Sequence, residues 1–91
     1  MIVKIQANNY KNLSASTNSV KGGQGVLKGI FVNQTTSGTI KIYDALTQTG
    51  TVLNNTITFA SVGYYPLGDA AFTVGLSVTV GGTLDCTLYW Q

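Results

Sequence analysis

The stretch FTVGLSVTVGGTLDCTLYWQ, residues Phe72 to Gln91, decides the fold of this chain. Apolar and polar residues alternate with a period of two on both sides of Gly81-Gly82, which is typical of β-strands that bury one face. A three-residue loop, Gly81-Gly82-Thr83, would bring the apolar side chains of both strands onto one face. This register pairs Val80 with Leu84, Val78 with Cys86, Leu76 with Leu88 and Val74 with Trp90. We therefore expect a β-hairpin over these residues.

The rest of the sequence predicts more strands of the same kind. Glycine-containing turn signals at residues 21–25, 34–38 and 63–68 separate short alternating segments, and no segment keeps a helical period of 3.6 over three turns. One such segment, Thr39 to Asp44, predicts a second hairpin in which Ile42 pairs with Ile30. We predict an all-β chain with a single small antiparallel β-sandwich or jelly-roll-like domain, residues 13–91, of about seven or eight short strands. Residues 1–12 are expected to form an N-terminal arm or an edge strand.

The composition narrows the range of partners. The 91 residues include five lysines and three aspartates but no histidine, arginine or glutamate, and about a third are Thr, Ser, Asn or Gln. Because the lysines are scattered and arginine is absent, we expect no nucleic-acid partner. No apolar run approaches the length that a membrane-spanning helix needs, so no membrane partner is expected either. A lone cysteine excludes an internal disulfide.

The titratable residues offer little for catalysis. Asp44, Asp69 and Asp85 are far apart in the sequence, and each suits a turn or a polar strand position. Cys86 shares the apolar face of its strand and has no histidine to activate it. We therefore expect no catalytic, cofactor-binding or metal-binding residues, and we rank an enzyme last among the possible functions.

Two short stretches are candidates for partner binding. Tyr64 and Tyr65 stand beside Pro66 in a predicted loop, where exposed aromatic rings can stack on sugars or enter a protein partner. The alternative is that one or both tyrosines plug an end of the sandwich. In the N-terminal arm, Ile2, Val3 and Ile5 could add a strand to the edge of another subunit.

Three segments carry a resemblance to a known class of proteins. The segments SGTIKIYD (37–44), GYYP (63–66) and GLSVTVGGTLDCTLY (75–89) resemble small all-β capsid decoration, or cement, proteins of tailed bacteriophages. The resemblance covers roughly Val20 to the C-terminus. It implies a β-sandwich that trimerises, binds the major capsid protein on the outside of the head and stabilises contacts between capsid subunits. The protein would be made in the host cytoplasm and reside on the capsid surface of the virion.

A different class of binding protein is also open. The same residues are compatible with a tail or surface β-sandwich module that recognises a receptor or a glycan. Exposure of Tyr64 and Tyr65 beside a groove would favour that alternative.

Overall fold

The computed structural model describes residues 7–91 and shows one antiparallel sheet of six strands in this part of the chain. The all-β prediction is therefore confirmed. The strands are β1 (Asn9–Leu13), β2 (Thr17–Gly22), β3 (Gly25–Asp44), β4 (Thr51–Phe59), β5 (Gly63–Phe72) and β6 (Gly75–Trp90).

Two long strands form the centre of the sheet. β3 and β6 pair from Leu27 opposite Trp90 to Tyr43 opposite Ser77. On the free side of β6, β1 pairs with residues 86–90 and β2 with residues 75–78. On the free side of β3, β5 pairs with residues 25–32 and β4 with residues 38–44.

Both central strands bend at the same place. Their register shifts between Thr36 and Thr39, where Ser37 and Gly82 have positive φ angles of 50° and 64°. The bend separates two half-sheets. The first half-sheet consists of β1, residues 83–90 of β6, residues 25–36 of β3, and β5. The second half-sheet consists of β2, residues 75–81 of β6, residues 38–44 of β3, and β4.

The predicted hairpins are wrong. Residues 75–90 form one strand that continues through Gly81-Gly82, and Val80 pairs with Ile40 instead of Leu84. The turn predicted at residues 34–38 lies inside β3, and Ile30 pairs with Leu88 and Tyr65, not with Ile42. Glycine suits a hairpin turn, and it also suits a bend where two backbones come close together. Here β3 and β6 pair along their lengths, so the glycines form bends within long strands rather than hairpin turns.

The predicted number of strands also differs from the structure. Residues 7–91 contain six strands, because two of the expected turns are bends within long strands. Residues 9–12 belong to β1, an edge strand of the chain's own sheet. The part of the predicted arm or edge strand that precedes residue 7 lies outside the described residues.

One hydrophobic core serves both half-sheets, because strands on each side of the bend contribute side chains to it. Its buried members are Leu13, Leu27, Ile30, Val32, Ile40, Ile42, Phe59, Phe72, Leu76, Val78, Leu84, Cys86, Leu88 and Trp90. The ring of Phe59 in the second half-sheet packs on Tyr65 in the first, with centroids 4.8 Å apart. The inward positions of Cys86 and Trp90 agree with the sequence prediction, although their strand partners do not.

Candidate functional site

The outer surface of the first half-sheet carries four aromatic side chains, which we call the aromatic face: Tyr10, Phe31, Tyr64 and Tyr89. The register places Tyr10 opposite Tyr89, and Phe31 opposite Tyr64. Tyr10 is 71% exposed, Tyr64 50% and Phe31 42%. Aromatic side chains at this exposure retain a large apolar area that folding has not buried.

A glycine positions Tyr64 on this face. Gly29 lies opposite Tyr89 on one side and Pro66 on the other, and a Cβ at position 29 would overlap the Tyr64 ring. Tyr64 therefore lies over the glycine and meets the edge of the Tyr89 ring, with centroids 6.3 Å apart.

A group of polar side chains adjoins the aromatic rings; we call it the amide cluster, and it consists of Asn12, Asn33, Asp85 and Thr87. The Asn12 amide nitrogen donates to Asp85 Oδ1 at 2.9 Å and to the Cys86 carbonyl at 3.0 Å. The Asn33 amide nitrogen donates to Asp85 Oδ1 and to Thr87 Oγ1, both at 3.3 Å. These bonds from three strands hold the cluster in place on the sheet surface.

The outer surface of the second half-sheet is covered instead. Residues 45–50 lie over it, since Ser77 Oγ donates to the Ala45 carbonyl at 2.8 Å and Thr79 Oγ1 to Gln48 Oε1 at 3.2 Å. Ser77 is fully buried beneath them. Within residues 7–91, the first half-sheet has no comparable cover over its aromatic rings.

A second set of exposed apolar side chains lies at the end of the molecule near Asp44; we call it the loop-end patch, and it consists of Leu46, Val52 and Val74. Each of the three side chains is 43–50% exposed. Val74 is held by Asp44, whose carboxylate accepts backbone hydrogen bonds from Val74 at 2.8 Å and from Thr73 at 3.0 Å. Leu46 is held because its carbonyl accepts a hydrogen bond from Ser19 Oγ at 2.9 Å.

The same hydrogen bonds alter the pKa of the Asp44 carboxyl. Desolvation raises this pKa, but the backbone hydrogen bonds from Val74, Thr73 and Gly75, together with the Thr73 hydroxyl, lower it more. The net result is a pKa below the ordinary value of 3.8. Asp44 therefore remains ionised while it holds the turn between β5 and β6.

The two tyrosines predicted from the sequence lie on opposite faces of β5. Tyr64 is on the aromatic face, whereas Tyr65 packs inward against Phe59 and donates its hydroxyl to the Ser61 carbonyl at 2.6 Å. The segment predicted as an aromatic loop is the start of β5, an edge strand, where Pro66 is tolerated. Ile2, Val3 and Ile5 lie outside the described residues.

Sequence reasoning missed five exposed apolar residues of the aromatic face and the loop-end patch: Tyr10, Phe31, Leu46, Val52 and Val74. A signal was present for Phe31, since Ile30 and Val32 on either side of it are both apolar and alternation sends them to the opposite face. Tyr10 had no such signal, because only the pairing of β1 with β6 brings it beside Tyr89.

The surroundings of Cys86 set the reactivity of its thiol. Burial and the nearby charge of Asp85 raise the pKa of the Cys86 thiol to about 11, which disfavours the thiolate. No group of three potential metal ligands occurs within residues 7–91. The same residues form no helix that could cross a membrane.

Comparisons with known proteins found no match among protein families, curated proteins or solved structures. The chemistry of the aromatic face and of the loop-end patch is therefore the basis for the functional argument.

Proposed function

We propose that the protein is a capsid decoration protein of a bacteriophage, which binds the outside of the head and stabilises contacts between capsid subunits. Its partners are the major capsid protein and further copies of itself, as a homotrimer on the virion surface. The three segments that resemble decoration proteins support this proposal. They fall on β3, β5 and β6, which supply most of the core.

The loop-end patch is the observation that carries the proposal. Leu46 and Val74 are about half exposed, yet both stand on turns that hydrogen bonds hold in place. An apolar side chain that is exposed to water does not stabilise the monomer. Because these side chains are already held in place, they lose little conformational entropy when a partner covers them. We assign this patch as the surface that attaches to the capsid lattice.

The surface chemistry supports a protein lattice as the partner. The exposed side chains are mostly hydroxyls and amides, and the described residues contain one ion pair, Lys28 with Asp69 at 3.0 Å. Interfaces are depleted of charge at their centres, so such a surface can be covered without leaving charges unpaired. We interpret the two half-sheets as the layers of a small β-sandwich, and the contact between Phe59 and Tyr65 supports this.

The test is binding to phage heads that lack the protein. Heads assembled from the major capsid protein of the same virus are mixed with the purified chain, sedimented and then heated. We expect the chain to sediment with the heads and to raise the temperature at which they open. An absence of co-sedimentation would overturn the proposal.

Paired substitutions locate the attachment surface. Leu46→Ser and Val74→Ser should each weaken attachment at least tenfold, since several weak sites per trimer act together. Val62→Ser is the matched control, because Val62 is 61% exposed but adjoins Gly63 at the opposite end of the molecule. Equal loss of attachment in all three variants would show that the loop-end patch is not the contact.

A deletion tests the N-terminal arm separately. Residues 1–8 precede β1 and include the apolar Ile2, Val3 and Ile5, which we propose reach a neighbouring subunit. Removing them should weaken attachment or trimer stability and leave the thermal unfolding of the sheet unchanged. A truncated chain that decorates heads like the full chain would exclude the arm from the mechanism.

A further inference from the structure

The aromatic face is separate from the loop-end patch and has a different chemistry. The patch is aliphatic, whereas this face combines exposed rings with the amide cluster on the same half-sheet. Tyr10 on β1 and Phe31 on β3 stand two strand spacings or roughly 10 Å apart, and the Tyr64 ring reaches from β5 over Gly29 on β3. A ligand that contacts Tyr10, Phe31 and Tyr64 together is therefore extended rather than a single small ring.

The amide cluster presents acceptors rather than donors. Both amide nitrogens point to Asp85 or its neighbours, which leaves Asn12 Oδ1, Asn33 Oδ1 and Asp85 Oδ2 without a hydrogen bond inside residues 7–91. The orientation of the amides follows from the carboxylate, which can only accept. A ligand for this surface must therefore supply several hydrogen-bond donors.

The charge of the face excludes one group of ligands. Asp85 is the one charged member of the aromatic face and amide cluster. An anionic ligand such as a nucleic acid or a sulfated sugar would be repelled there and would find no arginine. The ligand is therefore not an anion.

Neutral sugars meet these requirements together. Their hydroxyl groups donate to amide and carboxylate oxygens, and their C–H faces pack on the electron-rich faces of aromatic rings. Water can remain between a sugar and the amide cluster, whereas a protein partner would have to desolvate those oxygens.

We propose that the aromatic face binds a neutral oligosaccharide, with Tyr10, Tyr64 and Phe31 as stacking platforms and Asn12, Asn33 and Asp85 as acceptors for its hydroxyls. The site is preformed, because Tyr64 is fixed over Gly29 and the amide cluster is held by its own hydrogen bonds. Since it lies apart from the loop-end patch, it does not depend on the proposed attachment to a capsid.

The experiment is a screen of the full chain against immobilised neutral and anionic oligosaccharides. The best neutral sugar is then titrated by protein-observed NMR, beside maltohexaose, cellohexaose and chitohexaose as fixed probes. We expect at least one neutral sugar to shift the amide signals of residues on the aromatic face. An absence of binding to every neutral sugar, or a preference for the sulfated ones, overturns the proposal.

Variants tie the binding to the named side chains. Tyr64→Ala and Asn33→Ala should each lower affinity at least tenfold, while Tyr43→Ala, on the outer surface of the second half-sheet, should leave it unchanged. A Tyr64→Ala protein that fails to fold is replaced in the test by Tyr10→Ala, whose side chain is the most exposed of the face. Full sugar binding by these variants overturns the assignment. A Tyr64→Ala protein that changes from trimer to monomer also overturns it, because the aromatic face would then be a contact between subunits. Capsid attachment is measured separately, so the two proposals fail independently.

Discussion

At the scale of single residues, glycines make the bend of the sheet possible. A Cβ at Gly38 would lie 2.7 Å from the Thr83 carbonyl oxygen, and one at Gly82 would overlap the Ser37 carbonyl. Two backbones therefore approach more closely here than any side chain would permit. Thr35 completes the bend, since its Oγ1 accepts from the Gly38 amide and donates to the Phe59 carbonyl, both at 3.0 Å.

We predict that Gly82→Ala destabilises the protein by about 2–5 kcal/mol, because a left-handed backbone strain adds to a steric overlap. Gly23→Ala is the matched control: Gly23 also has a positive φ, 84°, but open space surrounds its Cβ position. It should cost only the strain, about 1–2 kcal/mol. Urea unfolding measures both, and equal costs would contradict a close approach at the bend.

Cys86 should resist thiol reagents in the native protein. Its side chain is fully buried and the pKa of its thiol is raised to about 11, so little thiolate forms at neutral pH. It should react at once when denaturant is added. Thr83→Cys in a Cys86→Ala background supplies an exposed thiol on the same strand as a positive control. Rapid native labelling of Cys86 itself would mean that the assigned face of β6 is wrong.

At the scale of elements, β6 shows what the sequence could and could not predict. Alternation predicted correctly that Leu84, Cys86, Leu88 and Trp90 point inward. It could not name their partner, because a hairpin and a long strand paired with β3 bury the same side chains. One signal for a single strand was present, since the inward residues of β6 keep even numbers on both sides of Gly81-Gly82.

The candidate site was predictable only in part, for a related reason. Tyr64 could be proposed from its local sequence, and the polar face of β6 that carries Asp85 followed from alternation. The amide cluster also needs Asn12 and Asn33, which are 21 residues apart in the sequence and meet only across β6. Pairing between distant strands is set by the whole core and leaves no local pattern.

Asp44 makes the turn between β5 and β6 sensitive to acid. Its pKa is lower in the folded protein than the unfolded value near 3.8, so its contribution is complete above that pH and is lost as the pH falls through the folded pKa. Asp44→Asn should lower stability at neutral pH and reduce the loss of stability on acidification. Thermal unfolding across a pH series measures both effects.

Asp69→Asn is the control for this pH dependence. Asp69 forms an exposed ion pair with Lys28, a type of contact that contributes little to stability. The variant should unfold like the unaltered protein across the same series. If Asp44→Asn and Asp69→Asn changed the thermal stability alike across the pH series, the backbone hydrogen bonds to Asp44 would not explain the pH dependence.

At the scale of the whole molecule, two exposed apolar surfaces stand in different places on a small chain. The aromatic face lies on a flat side and the loop-end patch at one end, so both can be occupied at once. Each of the four edge strands also carries a feature that hinders a further strand: Lys11, Lys21, the bulges of β4 and Pro66. We therefore expect association through side chains more than through sheet edges.

We predict that the protein forms a trimer, since a thin core and a weakly charged surface favour self-association. Sedimentation equilibrium at tens of micromolar protein should give three times the monomer mass of 9.6 kDa. Leu46→Ser should leave this mass unchanged if the loop-end patch serves the capsid lattice. A monomer at every concentration in the absence of heads would contradict the prediction.

The pairing of β3 with β6 also sets the order in which the chain can fold during synthesis. Leu27 pairs with Trp90, and Val26 exchanges two backbone hydrogen bonds with Gln91, at 2.7 and 2.8 Å. The middle of the sheet therefore stays open until β6 has left the ribosome, even though β3 emerges much earlier. Until then the apolar side of β3 faces solvent, a period in which chaperones or other nascent chains can capture it.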